Sequence, residues 1–354
     1  MVEALIVNQF RCFKQVQLLG LGRVNVLVGD SGSGKTALLE AIYMAAHTQA
    51  QVALSFRRWR GLGALAGVGF SRQLFESLWS DLFHNFDSEH DITVTLRGSS
   101  PDHNRSVRVY YKEQQVITLP LEREGSPTSI ALRPIVFEWT DASGQKGTSE
   151  VSLGAGGLAI SQSGQPPIPG AFFNSFSIFD SPVEPAQMFS LLSQRKQETE
   201  IVEALKSVYP AIQGVSLELF GGVPSLAVAI DTLPARVPIT LVSSGATKLA
   251  HILFTMANQR RGVILIDEIE NGFYFKALPR IWQLLYEFAK RFDVQIFAST
   301  HSAEALQGLA PAVAGNESDF RLLRFSIGPR REPRIKMVPG GDLKAAIAED
   351  VEVR

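Results

Sequence analysis

Cysteine is nearly missing from this chain: there is one, Cys12, among 354 residues. That excludes an internal disulfide and any Cys-x-x-Cys zinc or redox motif. No stretch approaches 18 uninterrupted apolar residues, so no segment reads as a membrane-spanning helix. The opening Met1-Val2-Glu3-Ala4 has neither the basic region nor the apolar run of a signal peptide. Net charge is almost absent as well, at −1. No global field therefore favours nucleic acid or an anionic membrane, and contact with either needs a local patch. Internal repeats and coiled-coil heptads are missing, which excludes a solenoid or a long helical arm. The expectation is a soluble, reduced, cytoplasmic protein with no membrane partner. Its 45% hydrophobic content is ample for a large core and allows one to three domains.

Against that background stands Gly29-Asp30-Ser31-Gly32-Ser33-Gly34-Lys35-Thr36. It satisfies the pattern G-x-x-x-x-G-K-[ST] at every fixed position. Val24-Asn25-Val26-Leu27-Val28 before it reads as a short buried strand, and Ala37 to Tyr43 after it has helical spacing. A glycine-rich turn in that setting aims backbone N–H groups, and the positive end of the helix, at a phosphate chain. Lys35 then reaches the β- and γ-phosphates of a nucleotide, and the Thr36 hydroxyl is a ligand for Mg²⁺.

The rest of the chain changes period several times. Residues 1–47 read as strand, turn, strand, phosphate loop and helix. Residues 48–90 read as mostly helical, with apolar positions at 74, 75, 78, 79, 82 and 83 marking one buried helix face. Ile92–Leu96, Val107–Tyr111 and Ile135–Trp139 are strand-like. The Pro/Gly/Ser segment 154–170 reads as a loop, Phe172 to Phe179 as a strand, and 185–208 as one helix ending before Pro210. Near the end, Val263–Ile266 and Val294–Ala298 flank a helix from about Leu278 to Lys290. That is a βαβ unit, and it implies parallel strands.

Three further clusters bear on chemistry. Ile264-Leu265-Ile266-Asp267-Glu268 is an apolar strand ending in two acids. In phosphate-loop enzymes such a pair holds Mg²⁺ and orients the attacking water, which assigns Asp267 to the metal and Glu268 to the base. Ala298-Ser299-Thr300-His301-Ser302 follows the next strand and puts His301 at the sheet edge where a γ-phosphate would lie. Val242-Ser243-Ser244-Gly245 precedes a helical run from Leu249 to Ala257. Small polar residues and glycine at a helix start can form an anion site, but by themselves these residues favour a plain N-cap.

The order of these motifs resembles that of the ABC-type ATPases, on the SMC/RecF/OLD side of the superfamily. Asp267-Glu268-Ile269-Glu270-Asn271-Gly272 looks like the D-E-x-E-N-G of OLD-type ATPases, and Ser299-Thr300-His301-Ser302 like their T-T-H-S. Val242-Ser243-Ser244-Gly245 looks like their L-S-S-G signature, and Asn8-Gln9-Phe10-Arg11-Cys12-Phe13 like their N-F-R-x-F start. The chain departs from the pattern at Ala246-Thr247, where Glu or Gln is usual after the signature glycine. It also departs at Ser31 in place of Asn and at Tyr274 in place of His. The resemblance implies a P-loop α/β fold of ABC-ATPase type. That fold has a mainly parallel sheet with helices on both faces, an antiparallel β subdomain and a helical insert. It assigns 1–47 and 216–354 to the ATPase core and 48–215 to an inserted elaboration.

The resemblance also implies ATP and Mg²⁺ as cofactors. Gly29, Asp30, Ser31, Gly32, Ser33, Gly34, Lys35 and Thr36 would hold the nucleotide, Thr36 and Asp267 the metal, with Glu268 and His301 catalytic. Two copies would sandwich ATP head to tail, with Ser243, Ser244 and Gly245 acting on the partner's nucleotide. The stretch after His301 is too short for the Toprim nuclease that OLD proteins carry, so a nuclease or other effector is expected as a separate partner. The expected role is an ATP-driven switch in DNA maintenance or antiphage defence. The alternative is an ATP-gated DNA clamp that hydrolyses only to release. A transporter subunit would need membrane coupling that no motif supplies. Arg57-Arg58-Trp59-Arg60 and the cluster Arg330, Arg331, Arg334 and Lys336 are the candidate DNA contacts, although solvated surface arginines around a core tryptophan are the favoured reading.

Overall fold

The computed structural model describes residues 1–60, 72–119, 128–154, 157–163, 168–174, 183–329 and 331–343. In chain order the elements open with β1 (Val2–Phe10), β2 (Phe13–Leu19), β3 (Val24–Gly29), α1 (Lys35–His47), α2 (Gln51–Trp59) and α3 (Arg72–Ser80). Strands follow: β4 (Ile92–Gly98), β5 (Arg105–Tyr111), β6 (Gln115–Leu119), β7 (Thr128–Leu132), β8 (Ile135–Asp141), β9 (Lys146–Gly154), β10 (Gly157–Gln162) and β11 (Gly170–Phe173). Next come α4 (Val183–Gln194), α5 (Thr199–Val208), β12 (Ile212–Phe220), β13 (Val223–Ile230), β14 (Val237–Pro238), α6 (Ile239–Val242) and α7 (Ser244–Asn258). The described chain closes with β15 (Val263–Ile266), α8 (Leu278–Arg291), β16 (Gln295–Ser299), α9 (Ala303–Val313), β17 (Phe320–Ile327) and β18 (Pro333–Pro339).

Among the described residues, contacts form two compact units. One is drawn from Met1–Leu21, Gly32–Ile168 and Ile327–Arg334, the other from Gly22–Ser31, Pro169–Ser326 and Ile335–Arg354.

The first unit is built on an antiparallel sheet of seven strands, in the order β10-β9-β8-β5-β4-β1-β2. Strands β4 and β5 alternate buried and partly exposed residues, so Ile92, Val94, Leu96, Val107 and Val109 line one apolar face. Helix α1 packs against β1, β4 and β5. It buries Leu38, Leu39 and Ile42 there, as its apolar spacing predicts. Phe75, Leu78, Trp79, Leu82 and Phe83 are likewise buried. Two expectations change in this unit. The opening contains an extra strand, β2, paired with β1 around a tight turn in which Arg11 has φ 51°. It is a half-exposed edge strand, so its apolar signal is weak. The segment read as a loop at 154–170 holds β10, paired to β9 through Leu158↔Leu153 and Ile160↔Val151. It too is an edge strand, and its glycine content hid it.

The second unit carries a six-stranded sheet in the order β11-β15-β16-β3-β17-β18. The pairs β11/β15, β15/β16, β16/β3 and β3/β17 are all parallel. Strands β15 and β16 are buried at every residue, which explains their unbroken apolar reading. Helices α4, α7, α8 and α9 pack in series, and the core runs through Leu249, Leu253, Ile264, Ile266, Trp282 and Ile296. The single helix predicted over 185–208 is two helices. Lys196 turns left-handed (φ 57°), and Gln197 and Lys196 N–H groups donate back to Leu192 and Ser193, a Schellman closure of α4. The strand expected from Phe172 is β11, and the remainder of that expectation, 175–179, lies outside the described residues. Hairpin β12/β13, with β14, makes a separate three-stranded antiparallel sheet.

Candidate nucleotide site

Strand β3 delivers the chain to Gly29, and α1 begins at Lys35. Between them Gly29, Gly32 and Gly34 all take positive φ, at 134°, 75° and 102°. Gly34 is the N-cap of α1, and no side chain caps that helix. A Cβ on Gly34 would stand 2.8 Å from Cys12 Sγ and 3.0 Å from Phe13 Cζ, so both the backbone angle and the space demand glycine. Burial pushes the Cys12 thiol up to about 11, which keeps it protonated beside the loop. Ser33 and Lys35 are buried, whereas Asp30, Ser31 and Gly32 are exposed. This is the strand–turn–helix context that the phosphate-loop reading requires.

In the parallel sheet, β15, β16 and β3 are consecutive neighbours, with Ile266 level with Ala298 and Ser299 level with Leu27. Their carboxyl ends therefore share one edge. That edge carries Asp267 and Glu268, then Ser299 and His301, then Gly29, Asp30 and Ser31. Asp267 is 8% exposed, and its Oδ1 accepts the Ser299 hydroxyl at 2.5 Å. Ser299 Oγ in turn accepts the Glu268 N–H at 2.9 Å. Glu268 has φ 50°, a left-handed backbone that costs a non-glycine residue roughly 1–2 kcal/mol. Its carboxylate Oε2 accepts from Asn271 Nδ2 at 2.5 Å. His301 is exposed, and its backbone N–H donates to Glu270 Oε1 at 2.8 Å. Ser302 caps α9 by accepting the Ala305 N–H.

Helix α7 starts from Ser243, whose Oγ accepts the Ala246 N–H at 3.2 Å. The plain N-cap reading of this residue therefore holds. Gly245 is packed tightly, since a Cβ there would sit 2.4 Å from Gly272 O and 2.5 Å from Tyr209 Oη. Ser244 is exposed at the helix start. Burial raises the Tyr209 phenol to about 12, partly offset by its hydrogen bond with Ser243.

Sequence reasoning missed four contributors to this edge: Lys248, Glu270, Asn271 and the bridging role of Ser299. Lys248 carried the clearest signal, as a lysine one turn into an otherwise apolar helix.

The basic cluster at 57–60 resolves differently. Arg57 pairs with Asp81 at 3.3 Å, Arg60 with Glu40 at 3.0 Å, and Trp59 packs on Tyr43 and Phe56. Two of its three cations are thus held by acids of the same unit. Arg330 of the second cluster lies outside the described residues. Among the described residues no helix is long and apolar enough to cross a membrane.

Comparison with known proteins follows the same lines. The family model described as "AAA domain, putative AbiEii toxin, Type IV TA system" matches residues 218–307, a span that holds Ser243, Asp267, Glu268 and His301. An ATP/GTP phosphatase of Helicobacter pylori is 23% identical over 358 residues, covering 90% of each chain. The DNA replication and repair protein RecF of Idiomarina loihiensis is 49% identical over 43 residues, 12% of each chain. Among solved structures, an Smc head bound to the C-winged helix domain of ScpA aligns over 96% of this chain and 97% of its own. Its TM-score is 0.53 at 14% identity. The fold is that of a P-loop ATPase of the ABC type, similar to the Smc head. The family model and the Helicobacter pylori relative support an ATPase of the AAA/ABC type.

Proposed function

We propose that the protein binds ATP with Mg²⁺, hydrolyses it, and uses it as an OLD-like switch that dimerises on ATP. The observation that carries this reading is the shared sheet edge. Adjacent parallel strands β15, β16 and β3 end in the acid pair, in His301 and in the start of the phosphate loop. In this reading 1–47 and 216–354 are the ATPase core and 48–215 elaborates it. Backbone N–H groups of Gly29–Gly34 and the Lys35 ammonium hold the phosphates. Thr36 and Asp267 are the hard oxygen donors that suit Mg²⁺, and Asp267 is already oriented by Ser299. Bound there, the ion would neutralise charge on the phosphates. Glu268 orients and deprotonates water, and His301 donates to the γ-phosphate.

Ser243, Ser244 and Gly245 act on the nucleotide of a second copy, so that ATP favours the closed dimer only while its γ-phosphate is present. The output goes to a separate effector, a nuclease being one candidate, in DNA maintenance or antiphage defence. The test is light scattering on Glu268→Gln with and without Mg-ATP. A shift from monomer to dimer on ATP alone supports the switch. ATP binding with no shift in mass contradicts it.

A further inference from the structure

Lys248 lies on the second turn of α7 and is 3% exposed. Its ammonium donates to three backbone carbonyls: Glu268 O at 3.0 Å, Ile269 O at 3.2 Å and Asn271 O at 3.0 Å. These are the carbonyls of the turn that follows the acidic strand. An ammonium has three protons, so the three acceptors use its donating capacity in full. The ring of Phe273 sits 5.2 Å from Nζ and closes another side of the charge. Desolvation brings this lysine down to about 8, against the pull of Glu270, Glu268 and Asp267. A buried cation with such a set of partners is costly to keep and calls for a reason beyond packing.

The turn it grips supplies one. Glu268 is held in a left-handed backbone by contacts on several sides: Ser299 on its N–H, Asn271 on its carboxylate and Lys248 on its carbonyl. Such strain persists only while the surroundings over-determine it. Lys248 reaches this turn from the same helix whose first residues are Ser244 and Gly245. A rigid helix joins the two, so its position sets where the Glu268 carboxylate sits.

We infer that Lys248 is a positioning residue for hydrolysis, tying helix α7 to the turn that presents Glu268. The inference rests on the ATPase reading above and on Glu268 as its base. Lys248 touches neither nucleotide nor water in this account and acts only through Glu268. Lys248→Met keeps the stem and removes all three donors.

Two readouts on that variant test the tie. Amide hydrogen exchange over 267–272 is expected to rise at least tenfold relative to the wild type, while exchange in β16 stays unchanged. In steady-state hydrolysis kcat is expected to fall about tenfold to a hundredfold with KM for Mg-ATP within about twofold, because the loss is in positioning and not in binding. Adding Glu268→Gln to Lys248→Met is expected to give the same rate as Glu268→Gln alone, since residues acting as a unit are not additive. Lys248→Arg, which retains the charge and donors, is expected to recover part of kcat. Unchanged exchange over 267–272, or an unchanged kcat in Lys248→Met, overturns the inference. A parallel fall in kcat and rise in KM overturns it too, by making the effect general unfolding. A wild-type protein that hydrolyses no ATP instead overturns the ATPase reading, and the exchange measurement still decides the tie.

Discussion

Ser299 Oγ stands 2.5 Å from Asp267 Oδ1, and through that contact one buried hydroxyl serves both acids of the strand end. It donates to Asp267 and accepts the Glu268 N–H, so it aligns the carboxylate proposed to hold Mg²⁺ with the turn that carries the proposed base. Ser299→Ala removes both bonds from largely buried groups, at a cost of roughly 1–3 kcal/mol. The expected result is a lower denaturation midpoint together with a kcat for ATP reduced by about tenfold to a hundredfold. A variant with wild-type kcat would show that the hydroxyl only fills space.

Gly34→Ala addresses the glycine-rich turn before α1. The new methyl meets Cys12 Sγ and Phe13, at a backbone angle that L-residues avoid. Nucleotide affinity is expected to fall at least about tenfold, equivalent to 1.4 kcal/mol or more, with the circular-dichroism spectrum preserved. Binding of a fluorescent ATP analogue at wild-type strength would remove the loop from the account.

Glu40 follows the phosphate loop on α1 and is 2% exposed. It faces Arg11 Nε at 2.7 Å and Arg60 at 3.0 Å, while Arg11 also reaches Asp81. Glu40→Ala takes the nearest acid from the buried Arg11 guanidinium and leaves it Asp81, so the cost is expected to be substantial but below the figure of about 3–5 kcal/mol for a fully uncompensated buried charge. Urea denaturation is expected to register that loss, and the double variant Glu40→Leu with Arg11→Met to recover part of it. A loss under about 0.5 kcal/mol, as for an exposed pair, would contradict the burial argument.

His251 packs edge-on to Phe173 at 4.9 Å on helix α7, and burial lowers it to about 4. The folded protein holds this imidazole neutral, while the unfolded chain takes up a proton near its ordinary 6.5. The folded value is depressed, so stability is full above about 6.5 and is lost as pH falls from there towards 4. At pH 5 this one group accounts for roughly 2 kcal/mol. Thermal melts of the wild type and His251→Asn between pH 7 and 5 check it. The slope with pH is expected to be shallower in the variant, and parallel curves would rule the histidine out.

Legibility in the sequence followed the range of the interactions. The glycine-rich turn, β3, α1, β15, α8 and β16 could be read because each is a local pattern: a glycine spacing, a buried apolar run or a helical stripe. The placement of Asp267, Glu268 and His301 at the sheet edge was visible because each follows such a run directly. Edge strands β2 and β10 escaped because half their residues face away from any core. The break between α4 and α5 rests on a left-handed Lys196, which no composition rule marks. The contacts of Lys248, Ser299 and Glu270 were not legible for a different reason. Lys248, Ser299 and Glu270 act across 20 to 32 residues of sequence, through hydrogen bonds that exist only once β15, β16 and α7 have packed. Sheet order has the same character: Val2 pairs with Gly98, and nothing near Val2 specifies that partner.

The most direct test of the account is ATP hydrolysis by the wild type and by Glu268→Gln, measured alongside Mg-ATP binding on the same preparations. The account expects wild-type turnover that requires Mg²⁺. It expects a Glu268→Gln protein that binds Mg-ATP as well as the wild type and turns it over about 10²–10⁴-fold more slowly, the range for a lost general base. A Glu268→Gln protein that hydrolyses ATP at the wild-type rate would contradict it.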